Sequence, residues 1–175
     1  MGTNRLAQVE RSNMYTAAVI TISTKGAKGE RVDTSGPNLV NMLKNDGYDV
    51  KYTNIIPDDF EIIKNELLKV CNENINLILT TGGTGFSQSD VTPEATNAVV
   101  ERFTPGIPEM MRSLNLKNTD KSCLSRSVAG IRKNSLIINL PGSERAAKEN
   151  FEVVMKPIKH GLDMLNTVGS ANCGG

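Results

Sequence analysis

The sequence predicts a single α/β domain with three layers, in which a mostly parallel β-sheet lies between two layers of helices. Short apolar runs rich in β-branched residues alternate with segments of helical periodicity, the pattern of parallel strands joined by right-handed crossovers. The chain has 175 residues, 38% of them hydrophobic, with no internal repeat, which suits one domain with one core. We expect the domain at residues 14–168, between a disordered leader or expression remnant (1–13) and a flexible tail (169–175).

The first predicted unit is a strand, a polar loop and a helix. YTAAVITI at 15–22 is a continuous apolar run, typical of a strand buried on both faces. The loop at 23–36 is rich in Gly, Lys, Ser and Thr. The following helix is expected to begin near Pro37, which suits a first helical turn, and to end near Gly47.

The second unit repeats this order. YDVKYTNII at 48–56 alternates well enough for a strand, and Pro57 closes it. Residues 58–74 then show helical periodicity, with one apolar face formed by Phe60, Ile63, Leu67 and Val70. INLILTT at 75–81 is again a continuous apolar run and predicts a buried strand.

The second half of the chain is less regular. Helices are expected from about 93 to 102 and over 108–116, whereas the segment 120–132 remains ambiguous. SLIINL at 135–140 predicts a clear strand, and residues 143 to about 167 follow a helical pattern.

Composition excludes several classes of protein. Twenty basic and nineteen acidic side chains give a formal net charge of +1, so no global field favours nucleic acid or membranes. Cys71, Cys123 and Cys173 are far apart and fit neither a disulfide framework nor a zinc site. The single histidine, His160, leaves little room for histidine-based catalysis. With no signal-peptide pattern and no long apolar run, we expect a cytoplasmic protein.

The most informative segment is TTGGTGFSQSDVTPEAT at 80–96, where a buried strand runs into glycines and then into a helix. Open parallel sheets bind ligands at the carboxyl ends of their strands. Glycines allow backbone N–H groups to approach an anion, and threonines add hydroxyl donors; here these are Gly82, Gly83, Gly85, Thr80, Thr81 and Thr84. The motif is neither a P-loop nor a dinucleotide fingerprint, so a plain strand-to-helix turn is an equal alternative at this point.

Two acids are candidates for a metal and phosphate site. Asp90 follows the glycines, and a carboxylate beside phosphates favours a bridging Mg²⁺. A turn carboxylate that bonds the next helix is the alternative. Asp58 follows the second strand, on the same sheet edge, but Asp58 and Glu61 also have the spacing of a capping box, which alone explains the residue.

Three further segments place small or basic residues at the same edge. DTSGP contains Ser35 and Gly36, and LPGSE contains Pro141, Gly142 and Ser143. Both segments precede helices, whose free N–H groups favour anions, although ordinary helix capping also explains the hydroxyls. LSRSVAGIRK adds Ser125 and Arg126 as candidate anion contacts.

Taken together, TTGGTGFSQSDVTPEAT, DTSGP, LSRSVAGIR and LIINLPGSERA closely resemble the MogA/MoaB family of molybdenum cofactor proteins, which includes the G domain of gephyrin. The resemblance extends from about Tyr15 to Leu165, with four motifs in the same order. It implies a three-layer α/β domain, a homotrimer or hexamer, and transfer of AMP from Mg-ATP to the terminal phosphate of molybdopterin with release of pyrophosphate. A separate molybdenum-inserting enzyme would use the product.

The resemblance also implies a set of site residues. Asp58 and Asp90 become the catalytic and Mg²⁺-binding acids. Within the substrate site, Ser35, Gly36, Ser125 and Arg126 are expected to line the pterin end. The substrate-binding residues are Ser35, Gly36, Thr81, Gly82, Gly83, Thr84, Gly85, Ser125, Arg126, Pro141, Gly142 and Ser143.

Two positions depart from the family pattern. Many relatives read S-D where this chain has Ser23-Thr24, and P-R-D where it has Gln88-Ser89-Asp90. A carboxylate and a cation are therefore missing. An alternative is a carrier module that binds molybdopterin without transferring AMP. A pyrophosphatase domain of the competence-damage type and direct molybdate insertion are less favoured, because further domains usually accompany both.

Overall fold

The computed structural model describes residues 14–167. The predicted leader at 1–13, the last residue of the predicted domain and the whole predicted tail at 169–175 lie outside these residues. The sheet has six strands in the order β2-β1-β3-β6-β5-β4. Their bounds are β1 Thr16–Ile22, β2 Asp49–Ile56, β3 Leu77–Thr81, β4 Arg102–Phe103, β5 Ala129–Arg132 and β6 Ser135–Leu140. β2, β1, β3 and β6 are parallel, whereas β5 is antiparallel to both β6 and β4.

Helices connect these strands. Their bounds are α1 Thr24–Ala27, α2 Ser35–Asn45, α3 Phe60–Asn72, α4 Thr92–Asn97, α5 Gly106–Asn115 and α6 Glu144–Asn166, with a 3₁₀ turn at Asp120–Leu124. In the described part of the chain, no helix has both the length and the apolar character needed to cross a bilayer. Cys71 and Cys123 are free thiols.

The central strands β1, β3 and β6 are buried on both faces, as their apolar runs predicted, whereas the edge strands β2 and β4 are partly exposed. Ala17 and Val19 of β1 point into a core formed with α2, α5 and α6, where Phe151 is fully buried. Ala18, Ile20 and Ile22 point to the other face, against α3 and α4. This period of two is the geometry of a strand between two helical layers. The predicted three-layer α/β/α architecture is confirmed.

Most of the first-half elements agree with the sequence within a few residues. The face predicted for the second helix is confirmed, because Ile63, Leu67 and Val70 are buried and Phe60 packs beside them. The loop at 23–36 differs, since it contains the short helix α1.

The prediction of a helix to residue 102 is wrong. α4 ends at Asn97, and the chain turns into β4 because Glu101 N–H donates to Ile131 O at 2.9 Å. The pairing partner is β5, which lies within the segment that the sequence left ambiguous. An antiparallel pair this short has too few residues to show a period of two.

Candidate functional site

Two adjoining clefts lie at the carboxyl edge of the parallel strands. The larger cleft has a volume of about 910 Å³ and lies between the loop after β1, the end of β2 and the start of α6. The smaller cleft has a volume of about 670 Å³ and lies between the glycine loop, the 3₁₀ turn and α6. Gly83, Gly142 and Ser143 line both clefts. The glycine loop after β3 therefore forms the boundary between them.

Two positions of this loop require glycine. Gly82 and Gly83 have φ angles of 111° and 65°, in the region that side chains rarely adopt. A Cβ at Gly82 would lie 2.2 Å from the carbonyl oxygen of Ile22, and one at Gly83 would lie 2.3 Å from Thr92 Oγ1. Both the backbone conformation and the close packing exclude a side chain.

Hydrogen bonds hold one side of the glycine loop and leave the other side open. Thr92 donates from its hydroxyl to Gly82 O at 2.9 Å and from its N–H to Gly83 O at 3.1 Å. By contrast, the N–H groups of Gly83, Thr84 and Gly85 donate no hydrogen bond to any residue between 14 and 167. Fixed N–H groups without protein partners are able to donate to an anion.

Asp58 does not cap α3, so the capping-box explanation is wrong. The N-cap is the next residue, Asp59, which accepts a hydrogen bond from Ile62 N–H at 3.0 Å. The Asp58 Oδ2 atom instead accepts from both the N–H and the hydroxyl of Thr24, each at 2.8 Å. Its Oδ1 atom lies 3.4 Å from a Cβ built at Gly83. The carboxylate therefore lies beside Gly83 in the lining of the larger cleft.

Asp90 lies on the other side of the glycine loop. Its Oδ2 atom is 2.8 Å from a Cβ built at Gly85, and the residue lines the smaller cleft. Its carboxylate accepts no hydrogen bond from the described residues, so the alternative of a turn carboxylate bonded to α4 is not what the structure contains. Residues 14–167 hold no cluster of three or more His, Cys, Asp or Glu side chains able to bind a metal ion.

Arg126 supports the glycine loop from behind and lines neither cleft. Its Nε donates to Gly85 O at 2.7 Å and its Nη2 to Asp90 O at 2.6 Å. The same guanidinium pairs with Glu94 and thereby lowers the pKa of that carboxyl. The guanidinium donors of Arg126 are thus engaged by the protein, and its expected place at the pterin end stays a prediction.

Ser35 and Gly36 lie at the start of α2. The Ser35 hydroxyl donates to Gly142 O at 2.8 Å, which ties this helix to the loop after β6. Asp33, which the sequence analysis did not single out, accepts from Gly36 N–H at 3.0 Å and from the Thr21 hydroxyl at 2.7 Å. Asp33 lies one residue before Thr34, the N-cap of α2, and its carboxylate bonds the first turn where the Thr34 side chain does not.

The structure separates Ser35 from Ser125, which were expected to line one pterin end. Ser35 lines the larger cleft, and Ser125 lines the smaller one. Pro141 lies in the smaller cleft, where its carbonyl accepts from the Thr81 hydroxyl at 2.7 Å. Ser143 caps α6 by accepting from Ala146 N–H. The motifs do converge on one edge, but around two clefts.

The larger cleft carries charge of both signs. Lys25, Lys28 and Arg31 line it and are exposed. Four acids line it as well: Glu30, Asp33, Asp58 and Glu144. Side chains alone therefore do not make the cleft cationic. Binding a polyphosphate there requires the N–H groups of the glycine loop or an added cation.

This fold and edge geometry define a three-layer α/β domain with a glycine loop and two clefts at the carboxyl edge of its parallel strands, the edge at which domains of this architecture bind ligands. A family model described as "Probable molybdopterin binding domain" matches residues 18–160. The chain belongs to this family.

Individual relatives and solved structures with similar sequences are consistent with this family. Molybdopterin adenylyltransferase of Helicobacter pylori is 38% identical over 152 residues, which cover 84% of this chain and 85% of that protein. Gephyrin of Dictyostelium discoideum is 36% identical over 90% of this chain, which spans only 23% of gephyrin. The structure of the molybdopterin biosynthesis enzyme MoaB from Thermus thermophilus superposes with a TM-score of 0.82 at 40% identity, covering 87% of this chain and 96% of that one.

Proposed function

We propose that this protein acts in molybdenum cofactor biosynthesis by transferring AMP from Mg-ATP to the terminal phosphate of molybdopterin, with release of pyrophosphate. The observation that carries the proposal is the pair of clefts that meet at Gly83, with Asp58 on one side and Asp90 on the other. A transferase must hold two substrates with their reacting phosphates in contact. One substrate in each cleft meets that need.

The glycine loop supplies the phosphate cradle. In this proposal the N–H groups of Gly83, Thr84 and Gly85, which have no partner among the described residues, donate to the phosphate oxygens where the clefts meet. The hydrogen bonds from Thr92 and from the Arg126 guanidinium keep the loop in this conformation before substrate binds. Alignment of an already ionised phosphate with the α-phosphorus of ATP is then the main contribution to catalysis.

No side chain has to act as a base in this mechanism. The attacking group is a phosphate oxyanion, which forms the new P–O bond while the bond to pyrophosphate breaks. His160 is consistent with this, since it is exposed on α6 and lines neither cleft. The terminal phosphate of molybdopterin needs only to be positioned and shielded from water.

The donor set fits Mg²⁺ held jointly by protein and substrates. Asp58 Oδ1 and the Asp90 carboxylate accept no hydrogen bond from the described residues and flank the glycine loop. Mg²⁺ typically uses one or two carboxylates together with substrate phosphates and water, which also fits the lack of a three-acid cluster in residues 14–167. Bound there, the ion would neutralise charge on the transferring phosphates.

The carrier alternative rests on the two departures from the family pattern. Ser89 is exposed at the edge of the larger cleft, and its hydroxyl contacts Ser87. It supplies no cation there. Thr24, in contrast, is firmly engaged with Asp58, so this departure keeps a defined role at the site.

The transfer reaction separates the two functions. The purified protein is incubated with Mg-ATP and freshly prepared molybdopterin, and adenylylated pterin and pyrophosphate are quantified together over several turnovers. The proposal expects both products in equal amounts, dependent on the pterin and on Mg²⁺. Binding of the pterin with neither product would establish the carrier instead.

We also propose a cytoplasmic homotrimer, or a hexamer built from trimers, that passes its product to a molybdenum-inserting enzyme. An apolar groove of about 600 Å³ between α5, α6 and β5 supports self-association, and Phe103 beside its rim is 61% exposed. Light scattering after size-exclusion chromatography tests this. A monomer at micromolar concentration would refute it.

A further inference from the structure

Thr24 and Asp58 form a closed hydrogen-bonded pair. The N–H and the hydroxyl of Thr24 both donate to Asp58 Oδ2 at 2.8 Å, and the Asp58 N–H donates back to Thr24 Oγ1 at 3.0 Å. The two residues follow the neighbouring parallel strands β1 and β2, which are also joined there by Ser23 N–H to Ile56 O at 2.8 Å. The sheet therefore holds the backbone next to both residues in place.

This pairing is not needed to cap α1. The N-cap of α1 is Ser23, whose hydroxyl oxygen accepts from Gly26 N–H at 3.0 Å. Thr24 supplies two donors to one oxygen of a carboxylate that lines the larger cleft. The arrangement is therefore better explained by what it does to Asp58.

Both donors bind the same carboxylate oxygen. Oδ2 is occupied twice, whereas Oδ1 accepts nothing from the described residues and lies towards the glycine loop, 3.4 Å from a Cβ built at Gly83. Rotating the carboxylate would break two hydrogen bonds to a charged group at once. Asp58 is thus restricted to offering a single oxygen in a fixed direction.

We propose that Thr24 is a positioning residue that makes Asp58 a one-oxygen ligand for the metal ion of the bound nucleotide. The inference rests on the proposed function, because it assumes a Mg-nucleotide at the glycine loop. Mg²⁺ demands nearly ideal octahedral geometry, so a carboxylate free to rotate or to offer both oxygens binds the ion less well. The threonine hydroxyl thereby takes a defined part at a position where many family members carry an acid.

The test uses three variants. Thr24→Val removes the hydroxyl and keeps the shape, Thr24→Ser restores the hydroxyl, and Thr53→Val makes the same chemical change at an exposed position of β2 that lines neither cleft. For each variant, transfer rates are measured against Mg²⁺ and ATP concentration. Binding of Mg²⁺ with a non-hydrolysable ATP analogue is measured by calorimetry, and the midpoint of thermal unfolding is recorded.

Thr24→Val is expected to weaken Mg-nucleotide binding and to raise the Mg²⁺ concentration that gives half-maximal rate by about tenfold. This is the effect expected from the loss of roughly one hydrogen bond to a charged group. Thr24→Ser should recover most of this, and Thr53→Val should match the wild type. The inference is overturned if Thr24→Val lowers only the unfolding midpoint, or if serine fails to restore the Mg²⁺ dependence. If the wild type makes no adenylylated pterin, the proposed function fails, but the calorimetric comparison still decides the role of Thr24.

Discussion

Replacing Arg126 with lysine is expected to loosen the glycine loop while keeping a positive charge. The guanidinium donates to Gly85 O at 2.7 Å and to Asp90 O at 2.6 Å, and it also pairs with Glu94. A single ammonium cannot bridge these separated acceptors. The loop that carries Gly85 and Asp90 should therefore lose its support from behind.

The magnitude follows from the bonds that are lost. Lysine can retain one contact, so about two hydrogen bonds from a charged donor disappear. Because the Arg126 side chain is 33% exposed, each hydrogen bond is assigned a smaller contribution to stability than is usual for charged groups. Loss of two such bonds should lower the free energy of unfolding by about 2 kcal/mol. For a domain of this size the unfolding midpoint should fall by roughly 4–8 °C.

Denaturant unfolding and transfer kinetics check this prediction together. The kcat should fall because Asp90 is displaced, whereas the KM for molybdopterin should change little. Glu94→Gln is the matched control, since it keeps both carbonyl contacts and should cost less than about 1 kcal/mol. A stable Arg126→Lys variant with normal kcat and a raised KM for the pterin would refute the supporting role and restore Arg126 as a substrate contact.

The same pair predicts a pH dependence. Arg126 lowers the pKa of Glu94 in the folded protein, so the pair stabilises the fold above the unfolded pKa of this carboxyl. That contribution is lost as the pH falls through the lowered folded pKa. The stability difference between wild type and Arg126→Lys should therefore narrow in acid, as followed by unfolding at several pH values. A difference that widened in acid would contradict the assignment.

Three other substitutions test the site. Asp90→Asn should abolish transfer but leave the unfolding midpoint within about 2 °C of the wild type, since the Asp90 carboxylate accepts no hydrogen bond from the described residues. If the variant kept wild-type kinetics, Asp90 would not belong to the metal site. Gly82→Ala should cost at least about 2 kcal/mol and disorder the loop, because its Cβ would lie 2.2 Å from Ile22 O; a stable, active variant in unfolding and transfer assays would contradict this. Asp59→Ala should lower stability by about 1 kcal/mol through loss of the α3 cap, with the transfer rate unchanged; a lost rate would mean that the cap and the site are coupled.

The sequence predicted those parts of the fold that depend on local pattern. The sequence placed β6 at its observed residues and the glycine loop correctly after β3. A continuous apolar run followed by glycines is compatible with few local structures other than a buried strand and a turn. The pair β4 and β5 was missed. Its two-residue strand, Arg102–Phe103, is held by hydrogen bonds to a segment almost thirty residues further along the chain.

The roles of individual site residues were harder to predict. Asp58 and Asp59 are adjacent and chemically identical, and only the direction of the chain after β2 decides which one caps α3. Thr24 is bound to Asp58 across 34 residues, and Arg126 reaches its carbonyl partners across 41 and 36 residues. Such contacts leave no periodic signal. The motifs identified the edge of the sheet, whereas the division into two clefts required the structure.

Simultaneous binding of the two substrates tests the two-cleft site most directly. A non-hydrolysable ATP analogue with Mg²⁺ is titrated calorimetrically into the free protein and into protein saturated with molybdopterin. Two clefts that meet at Gly83 predict a ternary complex, with one analogue bound per chain in both titrations and a similar affinity. If saturation with molybdopterin abolished analogue binding, or raised its Kd in proportion to the pterin concentration, the two ligands would compete for one cleft and the proposed transfer site would be wrong.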